Sequence, residues 1–233
     1  MTGREMYRHE LKYICTDSQL RLLKTRVSGL LAFDIHAGGQ GSYNIRSMYF
    51  DDMYNTCFYE SVNGTDDREK IRIRIYDKSA DRILLEFKKK ERGKTRKESC
   101  LITKEQYHLL IKGQPPPLLP ETSPVLRRFI VLMRTRLFRP RVIVEYERTP
   151  YVCPLGNVRV TFDRNISSGY ALDDFFAPTP FFRPIMPKGQ HVLEVKYDEY
   201  LPDSIYHALQ INGLRNTAFS KYYLCRKYAL GEN

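Results

Sequence analysis

The 233 residues contain no apolar run near the length of a membrane-spanning helix, roughly 18–20 residues. The N-terminal stretch MTGREMYRHELKY lacks the apolar segment of a secretory signal, and none is expected. Cysteine is sparse and unpaired. Cys15, Cys57, Cys100, Cys153 and Cys225 are scattered, with no C-x-x-C spacing. An odd, dispersed set points to free thiols in a reducing compartment, so a cytoplasmic location is expected. The missing paired ligands also argue against a structural zinc site. His9, His36, His108, His191 and His207 are too dispersed for a histidine-centred site. Ser47 and Ser220 lack a Ser-His-Asp setting. No RNP-type aromatic motif or other RNA module is present, so nucleic acid is a disfavoured partner.

Acidic residues are the next shortage. Asp plus Glu number 27 against 38 Lys plus Arg, a net charge of +11. Such an excess favours a polyanionic partner: nucleic acid, an acidic membrane surface or a phosphorylated substrate. Length and composition fit one domain, residues 1–233, large enough to bury a core without disulfide or metal staples.

Periodicity supplies the elements. Strands are expected at Met6–Ile14, Tyr43–Asp51, Lys70–Lys78, Ile83–Lys90, Lys97–Ile102, Arg141–Arg148, Val158–Asp163 and His191–Asp198. Helices are expected at Thr16–Leu31, from Thr103 to Lys112, and at Ser123–Phe138, Tyr206–Gly213 and Ser220–Leu230. Tyr54–Val62 is ambiguous, Gly38–Gly41 and Tyr170–Pro187 read as loops, and the proline-rich Gln114–Pro120 reads as a stiff connector between two halves. Such strands with peripheral helices suit an α+β fold, an eight-stranded antiparallel β-barrel, better than a parallel sheet.

Successive side chains on a strand point to opposite faces. Ile71, Ile73 and Ile75 therefore share one face, and Lys70, Arg72 and Arg74 the other. Glu86, Lys88 and Lys90 oppose Ile83, Leu85 and Phe87. Arg8, Glu10 and Lys12 share a face, as do Tyr146 with Arg148, Arg159 with Thr161 and Asp163, and Glu194 with Lys196. A wet face normally mixes neutral and charged residues, whereas these repeat Arg and Lys with isolated Glu. If the sheet closes with these faces inward, they line a basic tunnel whose crowded charge needs an anion. Arginine forks suit phosphate oxygens, and carboxylates suit Mg²⁺ or Mn²⁺. The helix bearing Arg127, Arg128, Arg134 and Arg136 reads as a solvated face or as a surface for an acidic membrane or partner.

The pieces RHELKY (8–13), RSMYFD (46–51), KIRIRIY (70–76), LEFK (85–88), EYER (145–148), RVTFD (159–163), LEVK (193–196) and FSKY (219–222), with Lys97, resemble the VTC-type polyphosphate polymerase domain. That family lies within the triphosphate tunnel metalloenzyme, or CYTH-like, superfamily. The resemblance runs from about Arg4 to Tyr228, nearly the whole chain. It implies an eight-stranded tunnel barrel that transfers the ATP γ-phosphate to a growing polyphosphate chain with Mn²⁺ or Mg²⁺. Carried over residue by residue, it makes Arg72, Arg74, Lys88 and Arg148 catalytic. It makes Lys12, Lys97, Tyr146, Arg159, Lys196, Ser220 and Lys221 phosphate contacts. It makes Glu194 the expected metal ligand, with Glu10 a second candidate.

Where the superfamily often has Glu-x-Glu-x-Lys, this chain has Arg8-x-Glu10-x-Lys12, which favours one-metal phosphate handling over a two-metal hydrolase. The SPX domain and membrane spans of eukaryotic relatives are absent from the sequence, so a membrane-protein partner at the inner face of a membrane is a further expectation. The alternatives are a tripolyphosphatase or nucleoside triphosphatase, a non-catalytic polyphosphate-binding module and an adenylyl cyclase.

Overall fold

The computed structural model describes residues 7–38 and 41–229. Met6, Leu230 and part of the expected Gly38–Gly41 loop lie outside them. The strands are β1 His9–Thr16, β2 Ala32–Phe33, β3 Tyr43–Asp51, β4 Arg68–Tyr76, β5 Ile83–Glu91, β6 Lys94–Ile102, β7 Arg139–Cys153, β8 Val158–Gly169, β9 Arg183–Pro184 and β10 Gln190–Tyr197. The helices are α1 Asp17–Ser28, α2 Thr56–Val62, α3 Lys104–Ile111, α4 Pro124–Thr135, α5 Asp203–Leu209 and α6 Lys221–Ala229. The long strands hydrogen-bond in the order β1-β10-β8-β7-β3-β4-β5-β6, with β2 on β7 and β9 on β8. The class is α+β with eight long strands, as expected.

The chain forms two compact units. The first comprises Met1–Asn44, Tyr146–Ile166 and Met186–Phe219, and the second Ile45–Glu145, Ser167–Ile185 and Ser220–Asn233. The expected connector at Gln114–Pro120 is thus corrected: it lies inside the second unit. The chain passes between units within the continuous strands β3, β7 and β8 and again at 185–186 and 219–220, none of them at the Gln114–Pro120 stretch.

In the first unit the apolar faces of the strands meet α1 and α5. Val158, Val160, Phe162, Leu193 and Val195 pack with Leu20, Leu23, Val27, Ile205 and Leu209 in one buried cluster. Helix α1 runs Asp17–Ser28, inside the expected Thr16–Leu31, with Thr16 as its N-cap. The Thr16 hydroxyl accepts from Gln19 N, and the Gln19 side chain accepts from Thr16 N, a reciprocal capping box. Burying the apolar face leaves the charged face of β1, β10 and β8 on the opposite side.

The second unit repeats the logic. Ile71, Ile73, Ile75, Leu85 and Phe87 are buried. On α4, Phe129 meets Phe50 and Phe87 edge-on, at centroid separations of 4.9 and 6.3 Å. Thr103 caps α3 through a second capping box with Gln106. The ambiguous Tyr54–Val62 segment contains α2, anchored by buried Asp51, whose carboxylate accepts from Cys57 N and Phe58 N at 2.9 and 3.1 Å. Arg46 is wholly buried. Its Nε donates to Glu145 Oε2 at 2.6 Å, and one terminal nitrogen donates to the carbonyls of Asp174, Phe175 and Ala177. The Tyr170–Pro187 segment is therefore tied down, and it holds a short helical turn, Leu172–Phe176, and strand β9.

Candidate functional site

Each unit carries a charged face whose rows follow from strand register. In the second unit Tyr49, Arg72, Glu86 and Ser99 lie in one row across β3, β4, β5 and β6, and Lys70, Lys88 and Lys97 in the next. Arg74 pairs with Ser47 across β3–β4. Five bases, Lys70, Arg72, Arg74, Lys88 and Lys97, thus surround the carboxylate of Glu86.

Glu86 is fully buried and serves three of them. Its Oε2 lies 2.7 Å from Arg72 Nε and 3.7 Å from Arg74 Nε, and its Oε1 lies 3.2 Å from Lys97 Nζ. Burial alone would raise its pKa. The charges of Arg74, Arg72 and Lys97 outweigh that and hold it far below the usual carboxylate range. Arg72 also donates to the Tyr49 hydroxyl at 2.9 Å, and Arg74 Nε lies 3.3 Å from Ser47 Oγ. Tyr49 stacks on Tyr222 of α6 at 5.0 Å, and the Tyr222 hydroxyl donates to Asp51 at 2.5 Å. Ser220 Oγ accepts from Tyr223 N at 3.1 Å, which caps α6, and from Lys70 Nζ at 2.8 Å. Lys221 is the first residue of that helix.

The first unit is more evenly charged. Glu10, Lys196 and Arg159 form one row across β1, β10 and β8, and Lys12, Glu194 and Thr161 the next. Lys12 Nζ lies 2.9 Å from Glu10 Oε1 and 3.9 Å from Glu194 Oε2, and it donates to the Phe219 carbonyl at 2.9 Å. Lys196 Nζ sits 2.6 Å from Glu194 Oε1. Arg148 grips the buried Asp163 with two bonds, of 2.6 and 2.7 Å, and lies 3.8 Å from Glu194. Its guanidinium stacks over Tyr146, 5.2 Å from the ring centroid. Burial would lower the Arg148 pKa, but Asp163 and Tyr146 raise it, so the charge is secure. Arg159 is held by Asp34 and by the Tyr43 hydroxyl. Arg8, the base that departs from the acidic motif, is neutralised by Asp198 at 2.7 Å.

Register and side-chain contacts thus gather Glu10, Lys12, Arg148, Arg159, Glu194 and Lys196 in one unit and Arg72, Arg74, Lys88, Lys97 and Ser220 in the other. Sequence reasoning placed Glu86, Lys70 and Asp163 on the charged faces without giving them a site role. The strand alternation already carried the signal for Lys70, which lies opposite Lys88. Nothing local marks Asp34 or Tyr49.

Glu10 and Glu194 are the carboxylates in this unit that could hold a divalent metal. Both reach the same Lys12 ammonium, so a cation already sits between two hard oxygen donors. No group of three or more His, Cys, Asp or Glu that could hold a metal ion is found among the described residues. The donor set fits an ion that keeps water and takes phosphate oxygens as its remaining ligands, the habit of Mg²⁺. Part of the charge on and just after the basic helix α4 is paired within its own unit. Arg128 pairs with Glu69 and Arg136 with Asp52, and Arg127 donates to the carbonyls of Leu119 and Pro120. No helix among the described residues is long and apolar enough to cross a membrane.

The VTC domain profile matches residues 7–230. The chain belongs to the VTC domain family. The resemblance carried by the strand motifs is borne out. Among solved structures, a putative adenylyl cyclase from Hippeastrum with a dominant triphosphatase activity aligns over 96% of this VTC chain and 96% of its own, with TM-score 0.55 and 15% identity. A putative adenylate cyclase from Bacillus halodurans aligns over 87% of this chain and 84% of its own, with TM-score 0.50 and 14% identity. At such identities they share the fold. Comparison with curated proteins yields no match.

Proposed function

We propose that this VTC domain transfers the γ-phosphate of ATP to a growing inorganic polyphosphate chain with the help of Mn²⁺ or Mg²⁺. The observation that carries the reading is the charge of the β4–β6 rows, where Lys70, Arg72, Arg74, Lys88 and Lys97 occupy register positions around Glu86. Such a surplus is neutralised best by a polyanion with several phosphates. Family membership supports the same substrate class.

Phosphoryl transfer asks a protein for positioning and charge neutralisation more than for a covalent nucleophile. Arg72 and Arg74 bind phosphate oxygens, and Lys88 and Lys97 neutralise the charge that builds on them. Ser220 and Lys221 add contacts at the start of α6. In the first unit Arg148, fixed by Asp163 and seated on Tyr146, with Lys12, Arg159 and Lys196, binds phosphate oxygens beside the carboxylates. Glu194 and Glu10 would hold the metal, which supplies a Lewis acid for phosphate oxygens. An oxygen of the polyphosphate end attacks the γ-phosphorus, the bond to the β–γ bridging oxygen breaks, and ADP leaves with that electron pair. The attacking oxygen is already ionised, so no strong general base is needed.

The test is incubation of purified protein with γ-labelled ATP and Mn²⁺, with products resolved by gel and thin layer. Labelled long chains are expected. Arg74→Ala and Glu194→Ala should each lose roughly 10²–10³ in rate, as when a transition-state donor is removed. Full activity in both variants rejects this site. The fold of the Hippeastrum triphosphatase favours one second reading, hydrolysis, in which water replaces the chain end. Labelled orthophosphate without long chains would establish it, cyclic AMP with pyrophosphate would indicate a cyclase, and tight metal-independent binding without turnover would indicate a polyphosphate-binding module.

A further inference from the structure

Glu86 sits among the bases of the β4–β6 face, yet its environment suits neither metal binding nor proton transfer. Its side chain is completely buried, and both oxygens are engaged, Oε2 by Arg72 and Arg74 and Oε1 by Lys97. A metal ion placed on those oxygens would join three cations within 4 Å of them. A general base must reach a proton, and this carboxylate is sealed beneath guanidinium and ammonium groups.

We infer that Glu86 is a positioning residue that sets the phosphate-binding geometry of Arg72, Arg74 and Lys97. This rests on the phosphate-binding reading of that face. Three neighbouring bases on β4 and β6 repel one another, and long side chains have many rotamers. One carboxylate that takes Arg72 and Arg74 by their Nε edges removes that freedom. Tyr49 on Arg72 and Ser47 beside Arg74 complete the alignment. The charge is constant across the working pH range, because the surrounding cations keep Glu86 ionised.

This arrangement has an unusual signature. Glu86 repels an incoming phosphate while it aligns the groups that receive one. Its removal therefore strengthens ground-state binding and weakens catalysis. In Glu86→Gln, tripolyphosphate should bind about tenfold more tightly, the order expected for loss of one unit charge several ångströms from an anion in a partly solvated site. Turnover should fall by roughly 10²-fold because the forks are misaligned. The concentration of Mn²⁺ at half-maximal rate should stay where it is.

The experiment is calorimetric titration of the full chain with sodium tripolyphosphate in metal-free buffer, alongside kcat and KM with ATP. Glu86→Asp serves as a second variant, which keeps the charge but draws it back by one methylene. It should bind tripolyphosphate like the wild type and still lose turnover, so the inference remains testable if Glu86→Gln does not fold. Tighter binding with slower turnover in Glu86→Gln supports the assignment. Weaker or unchanged binding in Glu86→Gln, or undiminished turnover in both variants, overturns it and leaves the phosphate-binding reading intact. A large rise in the Mn²⁺ requirement also overturns it, by making Glu86 a metal ligand. A wild-type chain that does not bind tripolyphosphate at all overturns the phosphate-binding reading itself.

Discussion

Arg148 offers a test in which stability and function separate cleanly. Its guanidinium holds Asp163 by two bonds, of 2.6 and 2.7 Å, and the carboxylate has no exposed surface. Removing the arginine leaves a buried charge without its closest partner. The cost of breaking such a pair from one side is about 3–5 kcal/mol. For a chain of this size each kcal/mol lowers Tm by about 2–4 °C, so Arg148→Met should lose roughly 6–20 °C. Replacing both partners by apolar groups removes the uncompensated charge as well as the pair. The double variant Arg148→Met with Asp163→Leu should therefore recover to within about 1.5 kcal/mol of the wild type. Urea unfolding of both single variants and the double variant measures all three quantities. A loss below about 1 kcal/mol in Arg148→Met, or a double variant no better than the worse single, would refute the buried-pair argument. The result also bears on function. The activity that remains in an Arg148 variant has to be divided by the folded fraction before any loss is assigned to phosphate contact.

Other outcomes follow from the same contacts. Tyr222→Phe removes a hydroxyl 2.5 Å from buried Asp51, and chemical denaturation should register a loss of about 1–3 kcal/mol. Arg46→Met should cost more, about 3–5 kcal/mol, because Glu145 and three carbonyls lose their donor; limited proteolysis should then cut near Leu172–Phe176. The pKa of Glu86 is depressed in the folded state, so the stability it contributes is complete above the unfolded carboxylate value of about 4.3. That contribution fades as pH falls below this value toward the depressed folded one. Wild type should lose stability more steeply than Glu86→Gln in melts run from pH 5 downward, where about 5 marks the start of carboxylate protonation, and equal slopes would contradict the ion pairing.

The fold was most legible where local chemistry and tertiary packing agree. The alternation of Lys70–Tyr76 predicted a strand with one basic and one apolar face, and β4 has both. Thr16 and Thr103 marked helix starts because a capping hydroxyl needs only its own next three residues. Strand β7 was read as Arg141–Arg148 but runs Arg139–Cys153, since Pro140 and Pro150 look like stops and are tolerated in place. At Pro150 the carbonyl still accepts from Asp34 N at 3.2 Å. Strand β8 continues past Asp163 through polar residues that carry no alternation signal. Arg46 was illegible as a core residue, because its partners lie 99 to 131 positions away. The candidate site divides the same way. Which residues share a face was readable from a period of two. Which carboxylate fixes which arginine was not, since it depends on register between strands.

That dependence gives the isoleucines of β4 a second task. Ile71, Ile73 and Ile75 are completely buried and alternate with Lys70, Arg72 and Arg74. A shift of one residue in pairing would turn the bases into the core and the isoleucines outward. At about 1.5–3 kcal/mol for each buried isoleucine, three of them oppose that slip by roughly 5–9 kcal/mol before any cost of burying charge. Greasy residues on the far side of the strand thus act as the ruler that keeps the cations at their stations. The spacing of the basic row is thus written partly in side chains on the opposite face.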